Sequence, residues 1–157
     1  MADADLDRIP AHRLNRGVLA YLGRNGRLPA VSAPEGHPDP YLRAGSHPEV
    51  VDRIWDELGA AAPATRRCLL HGTPALVLRE SGVVVAVALG TSYALRLAPP
   101  SLRSAVRSGA KTVHEFTTVS SVLDLGATFG DDWVFGSWHA DEVDWLRSSL
   151  ALFAAGG

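Results

Sequence analysis

Between Ala75 and Leu97 the chain is largely apolar, broken at Arg79-Glu80-Ser81-Gly82, at Gly90-Thr91-Ser92 and by Arg96. Short apolar runs split by glycine-containing loops predict a strand meander, because glycine adopts positive φ without strain. Taken as a two-residue hairpin loop, Ser81-Gly82 pairs Leu78 with Val85 and Leu76 with Val87, placing all four on one face with Leu89. The next loop is read as three residues, Gly90-Thr91-Ser92, which sets Tyr93, Leu95 and Leu97 beside that apolar set. A two-residue Gly90-Thr91 turn would instead oppose Tyr93 and Leu95 to Ala88 and Ala86. The longer loop is preferred because a one-residue slip exchanges faces and the apolar set usually decides register. The second face is then floored by Val77, Val84, Ala86, Ala88 and Ala94 and flanked by Arg79 and Arg96, too apolar for bare solvent.

Around the meander the period changes to that of helices. Ser46-His-Pro-Glu49 has the form of a capping box, and Val51, Ile54, Trp55 and Leu58 follow at helical spacing, with Asp52, Arg53, Asp56 and Glu57 opposite and Gly59 as the stop. A strand is predicted at Arg67–His71. Pro99-Pro100-Ser101 opens a short helix with Leu102, Ala105 and Val106 inward, ended by Gly109. Thr112–Thr117, Val122–Leu125 and Trp133–Phe135 are strand candidates. The last helix is predicted over Ala140–Ala154, with Val143, Leu146, Leu150 and Phe153 inward and its carboxylates in the first turn, where the helix dipole favours them.

Residues 1–45 read as an N-terminal arm preceding an α+β domain over residues 46–157. Ala11–Leu22 predicts a short helix with Leu14, Val18, Tyr21 and Leu22 on one side. Pro29, Pro34, Pro38 and Pro40 then exclude helix and ladder alike. An extended stretch of this length is expected to pack across the second sheet face through Val31, Tyr41 and Leu42. The fold expected is a single antiparallel sheet, meander plus additional strands, with helices on one face.

Composition narrows the class. At 157 residues and 46% hydrophobic the chain can bury a core without disulfides or metal. The single cysteine, Cys68, excludes an internal disulfide, suits a reducing cytoplasm and is expected buried. No run approaches the ~20 apolar residues of a membrane span. Net charge is −2, but its distribution is uneven: Arg8–Arg27 holds five arginines and no carboxylate, while Thr112–Gly157 holds seven carboxylates and one arginine. A solvated helix face explains such runs, and a basic surface for nucleic acid is the functional alternative.

The order helix, meander ending in Ser92-Tyr-Ala-Leu-Arg-Leu97, short helix, strands and final helix resembles the bacterial TfoX N-terminal and YjbR/MmcQ-like domains over about residues 46–157. His71-Gly-Thr-Pro74 stands where the TfoX domain carries a Met-Phe-Gly-Gly-like turn. The resemblance implies a non-enzymatic regulatory or interaction module and carries no catalytic residues over.

Candidate chemistry is sparse. There is no Gly-x-Ser-x-Gly elbow and no Gly-x-Gly-x-x-Gly or Walker loop. His139 and Asp141, with His114, form an alternative metal set, against which helix capping by His139 explains the same residues. Trp138, in a predicted turn between Ser137 and His139, is a candidate for exposure, and an exposed tryptophan beside acidic groups marks a protein interface. The binding residues singled out are Arg79, Arg96, Trp138, His139 and Asp141. The expected function is a small cytoplasmic binding or regulatory protein, accessory or immunity-like, acting through another protein without a cofactor, as monomer or homodimer and away from the membrane. The alternatives are a small enzyme or metal- or ligand-binding domain using His114, His139 and Asp141, and a nucleic-acid binder using Arg8–Arg27.

Overall fold

A computed structural model describes Leu6 and residues 8–23, 30–34, 47–112 and 130–156. It is an α+β fold: one antiparallel sheet of six strands in the order β1-β2-β3-β4-β6-β5. The strands are β1 (Thr65–Leu70), β2 (Thr73–Leu78), β3 (Val84–Leu89), β4 (Ser92–Arg96), β5 (Lys111–Thr112) and β6 (Trp133–Phe135). The arm forms α1 (Arg8–Ala11), a tight turn at Arg13–Asn15 and α2 (Arg16–Leu22). Among the described residues three further helices follow: α3 (Pro48–Asp52), which runs on into a wider π-helical stretch over Arg53–Gly59, then α4 (Pro99–Arg107) and α5 (Glu142–Gly156). The strand candidates over residues 113–117 and 122–125 lie outside the described residues, as do Tyr41, Leu42 and Ser46.

The sheet is buried on both sides. One face packs Leu76, Leu78, Val85 and Leu95 against Ile54, Trp55 and Leu58 of the π-helical stretch and Leu146 of α5. The other packs Cys68, Ala75, Val77, Val84, Val87 and Ala94 against Leu6, Ile9 and Val18 of the arm, with Val31 at the margin. The arm therefore covers the second face, as its apolar floor requires.

The register differs from the expected one in two places that compensate each other. Leu78 and Val83 enclose a four-residue turn: Leu78 N–H donates to Val83 O, Gly82 N–H donates to Leu78 O, and Gly82 sits at φ +81°. A β-bulge follows this turn in β3. Leu76 then faces Ala86 while Val77 faces Val84, so Val85 is an extra residue with no partner of its own. Leu78 and Val85 share a face as expected, although they are not paired, but the bulge sends Val87 and Leu89 to the arm side and brings Ala86 and Ala88 to the helix side. The β3–β4 loop is the two-residue Gly90-Thr91 turn, pairing Ala88 with Tyr93 and Ala86 with Leu95. Tyr93 and Leu95 still reach the helix-side core, because the bulge has already exchanged the β3 faces. An unbroken apolar run buried on both sides carries no alternation with which to fix its own register.

The helices are tied to the sheet by polar contacts inside the core. Trp55 Nε1 donates to Ala75 O at 3.0 Å, and Ser149 Oγ accepts from Ala98 N–H at 2.9 Å while donating to Trp145 O. At the start of α3 the His47 side chain accepts from Glu49 N–H. One assignment changes side: Arg53, expected on the solvent face with Asp52, is 7% exposed. The π stretch begins at Arg53, whose side chain is held inward by Glu142 and His139 O.

Candidate functional site

The densest polar cluster in the interior joins Arg53, Tyr93 and Glu142, which come from the helix after Pro48, the central strand β4 and the first turn of α5. Glu142 is 1% exposed. Its Oε1 accepts from Tyr93 Oη at 2.5 Å and from Arg53 Nη2 at 2.6 Å, and its Oε2 accepts from Ser137 N–H at 2.9 Å and Ser137 Oγ at 3.3 Å. A buried carboxylate is tolerated only when donors surround it, and here two groups reach each oxygen. Arg53 Nη2 also donates to His139 O at 2.8 Å, and Nη1 reaches Glu57 at 3.3 Å. Burial works against the guanidinium charge, but the hydrogen bond to Glu142 and the charge of that carboxylate outweigh it and hold the Arg53 pKa above its ordinary value. Burial first, then Glu142, pushes the Tyr93 phenol upward, so the hydroxyl remains a proton donor to the carboxylate.

This network grips the segment from Gly136 to Asp141. Gly136 N–H donates to Tyr93 O, and any Cβ at Gly136 would overlap the Tyr93 ring. Tyr93 Oη accepts from Trp138 N–H at 2.9 Å. Trp138 takes φ +60°, a left-handed conformation that a bulky side chain adopts at a cost of about 1–2 kcal/mol. Its indole stands edge-on to Tyr93, ring centroids 5.1 Å apart, and is 49% exposed.

The candidate residues fall into three places. Trp138, His139 and Asp141 lie together. His139 Nδ1 accepts from Asp141 N–H at 3.1 Å, its ring stacks on Trp145 at 5.2 Å, and the exposed Asp141 carboxylate lies 3.8 Å away. His12 and His47 accept the N–H two residues ahead in the same manner. Arg96 is 1% exposed beneath the arm: Nη2 donates to Leu14 O at 2.7 Å, Nε approaches Asp132 at 3.5 Å, and the guanidinium lies 4.8 Å over the Trp133 ring. It works as a bolt between arm and sheet. Arg79 is exposed on the turn after β2, where Nε donates to Pro63 O. No group of three potential metal ligands gathers among the described residues, and His114 lies outside them.

Arg53, Tyr93 and Glu142 were not singled out from sequence. Glu142 reads as one more first-turn carboxylate and Arg53 as one more helix-surface charge. The residues are 40 and 49 positions apart along the chain, and no spacing joins them. Comparison with protein-family models, with curated protein sequences and with solved structures finds no match to this chain.

Proposed function

We propose that this chain is a non-catalytic recognition module that binds another protein through the Trp138 surface, with basic groups on the partner. The observation that carries the reading is Trp138 itself: a large apolar side chain, half exposed, on a left-handed backbone. The conformation opposes folding and the exposed half of the indole contributes nothing to it, while a buried network of Tyr93, Glu142 and Arg53 holds the segment in place. Strain kept at the surface by a rigid interior suits a contact made with something else. Tryptophan is the residue type most enriched among energetic centres of interfaces. Asp141 and Asp144 are exposed on the same segment and the helix it opens, and carboxylates around an indole favour a partner bearing lysine or arginine. The resemblance to TfoX N-terminal and YjbR/MmcQ-like modules points the same way.

Trp138→Gly separates function from stability, since it removes the indole and relieves the backbone strain together. The expected result is a protein of equal or higher Tm that no longer retains a partner captured by wild type and reconstituted from purified components. Asp141→Lys with Asp144→Lys should weaken the same complex, and charge reversal on the partner should restore part of the loss. Undiminished binding by Trp138→Gly would overturn the reading.

A further inference from the structure

A solvent-open groove of about 600 Å³ lies between the later turns of α5, the segment before β1 and the β2–β3 turn. We propose that it binds an amphipathic monoanion, a small molecule with an apolar body and one carboxylate. Its apolar surface comes from Ala62, Pro63, Ala64, Leu78, Leu150 and Ala151. Leu78 and Leu150 are its floor, each almost fully buried. The volume is that of an ordinary small-molecule site, about 300–1,000 Å³.

Two cations stand at this apolar surface, Arg79 and Arg147. Arg79 is fixed at its Nε by the 3.0 Å bond to Pro63 O and at its backbone by a 2.9 Å bond to Ala64 O, and among the described residues neither terminal nitrogen has a partner, so both can meet a ligand. The Arg147 guanidinium makes no hydrogen bond or ion pair with any described residue. Glu80 on the same turn offsets one of the two positive charges. The balance therefore suits a single negative charge rather than a polyphosphate, and a guanidinium fork matches a carboxylate.

The walls are preorganised. Thr65 N–H and Oγ1 both donate to Ala62 O, at 3.0 and 2.7 Å, and the β2–β3 turn is held by Gly82 N–H on Leu78 O, Asn15 on Gly82 O and Arg8 on Glu80 O. Little ordering is left for binding to oppose. The groove shares no residue with the Trp138 segment, so the two sites are tested separately.

The test is titration of the full chain with decanoate below its micelle concentration, followed by amide shifts in a ¹H–¹⁵N spectrum, with decylamine as the control of opposite charge. Saturable shifts at Ala64, Arg79, Ser81 and Ala151 are expected. Arg79→Gln with Arg147→Gln should weaken decanoate roughly tenfold or more, the scale of losing a charge-assisted contact. Ala151→Trp, at an exposed helix position, should fill the groove and abolish the shifts; if it unfolds, Ala151→Leu serves instead. Equal binding of decylamine, decanoate shifts that survive a folded groove-filling variant, or the absence of saturation would each overturn the proposal.

Discussion

Asn15 completes the backbone hydrogen bonding of Val84: the Val84 N–H donates to Asn15 Oδ1 at 2.9 Å, beside the register shift of β3. The same amide donates through Nδ2 to Ile9 O at 2.8 Å and Gly82 O at 2.9 Å. One fully buried side chain from the arm thus joins α1, the hairpin turn and the bulged strand. The arm supplies hydrogen bonds that the sheet and turn do not make among themselves, besides covering an apolar face.

Asn15→Leu should therefore destabilise more than its volume suggests. It leaves Val84 N–H and Gly82 O buried without the Asn15 amide, while Ile9 O keeps the His12 N–H, at roughly 1–3 kcal/mol for each orphaned group that water cannot reach. Urea denaturation should show a lower midpoint. A loss under about 1 kcal/mol, the net scale of one ordinary hydrogen bond, would mean that water replaces the amide there.

The Arg53–Glu142 pair should be asymmetric to mutation. Glu142→Leu leaves Arg53 with His139 O and the exposed Glu57 carboxylate but also takes the acceptor from Tyr93 Oη and both Ser137 donors, and breaking a buried pair in this way costs about 3–5 kcal/mol. Arg53→Met leaves the Glu142 carboxylate with Tyr93 Oη and both Ser137 donors, so its cost should be smaller. Chemical denaturation of the two single variants and the double variant checks the order, and a milder Glu142→Leu would contradict it.

Gly136→Ala places a methyl group inside the Tyr93 ring. Overpacking of this kind costs about 1–3 kcal/mol. The ring must move, taking its hydroxyl from Glu142 and from Trp138 N–H, so the fluorescence of Trp138 should change along with Tm. Both readouts unchanged would show that the segment shifts freely instead.

Stability should fall in mild acid through His12. Burial, then the charges of Arg96 and Arg13, holds its pKa below the ordinary value of 6.5, and its Nδ1 must stay unprotonated to accept from Leu14 N–H. The unfolded chain takes up the proton first, so this stabilisation is complete above about pH 6.5 and is lost as pH falls through the lower folded-state value. Tm measured from pH 7.5 to 5 should decline less steeply in His12→Asn, which keeps a side-chain acceptor without titrating. An identical slope in that variant would remove His12 as the cause.

Cys68 reports on the arm. Its thiol is fully buried against the arm-side core, and burial pushes its pKa up to about 12, so a thiol reagent at pH 8 should label the native chain slowly. Removing residues 1–45 should speed labelling many-fold and lower Tm, because the Val77, Val84 and Val87 face is uncovered. Slow labelling with unchanged Tm would show that the face is protected without the arm.

Local patterns were enough for the elements. Glycine and proline marked the turns and helix starts, helical spacing marked Ile54, Trp55 and Leu58 as core, and the apolar second face implied a cover that the arm provides. The α+β class with its antiparallel sheet followed from these, and Trp138 was legible as an exposed aromatic because it sits in a polar turn. Tertiary structure alone decided the rest. Val83–Leu89 is apolar at every position, so its pattern could not say where a bulge falls, and the partner strands and the arm's Asn15 settle which faces Val85 and Val87 take. The side on which Arg53 lies depends on a carboxylate 89 positions away. Periodicity records which residues share a surface within one element, whereas a buried ion pair depends on where two separate elements meet.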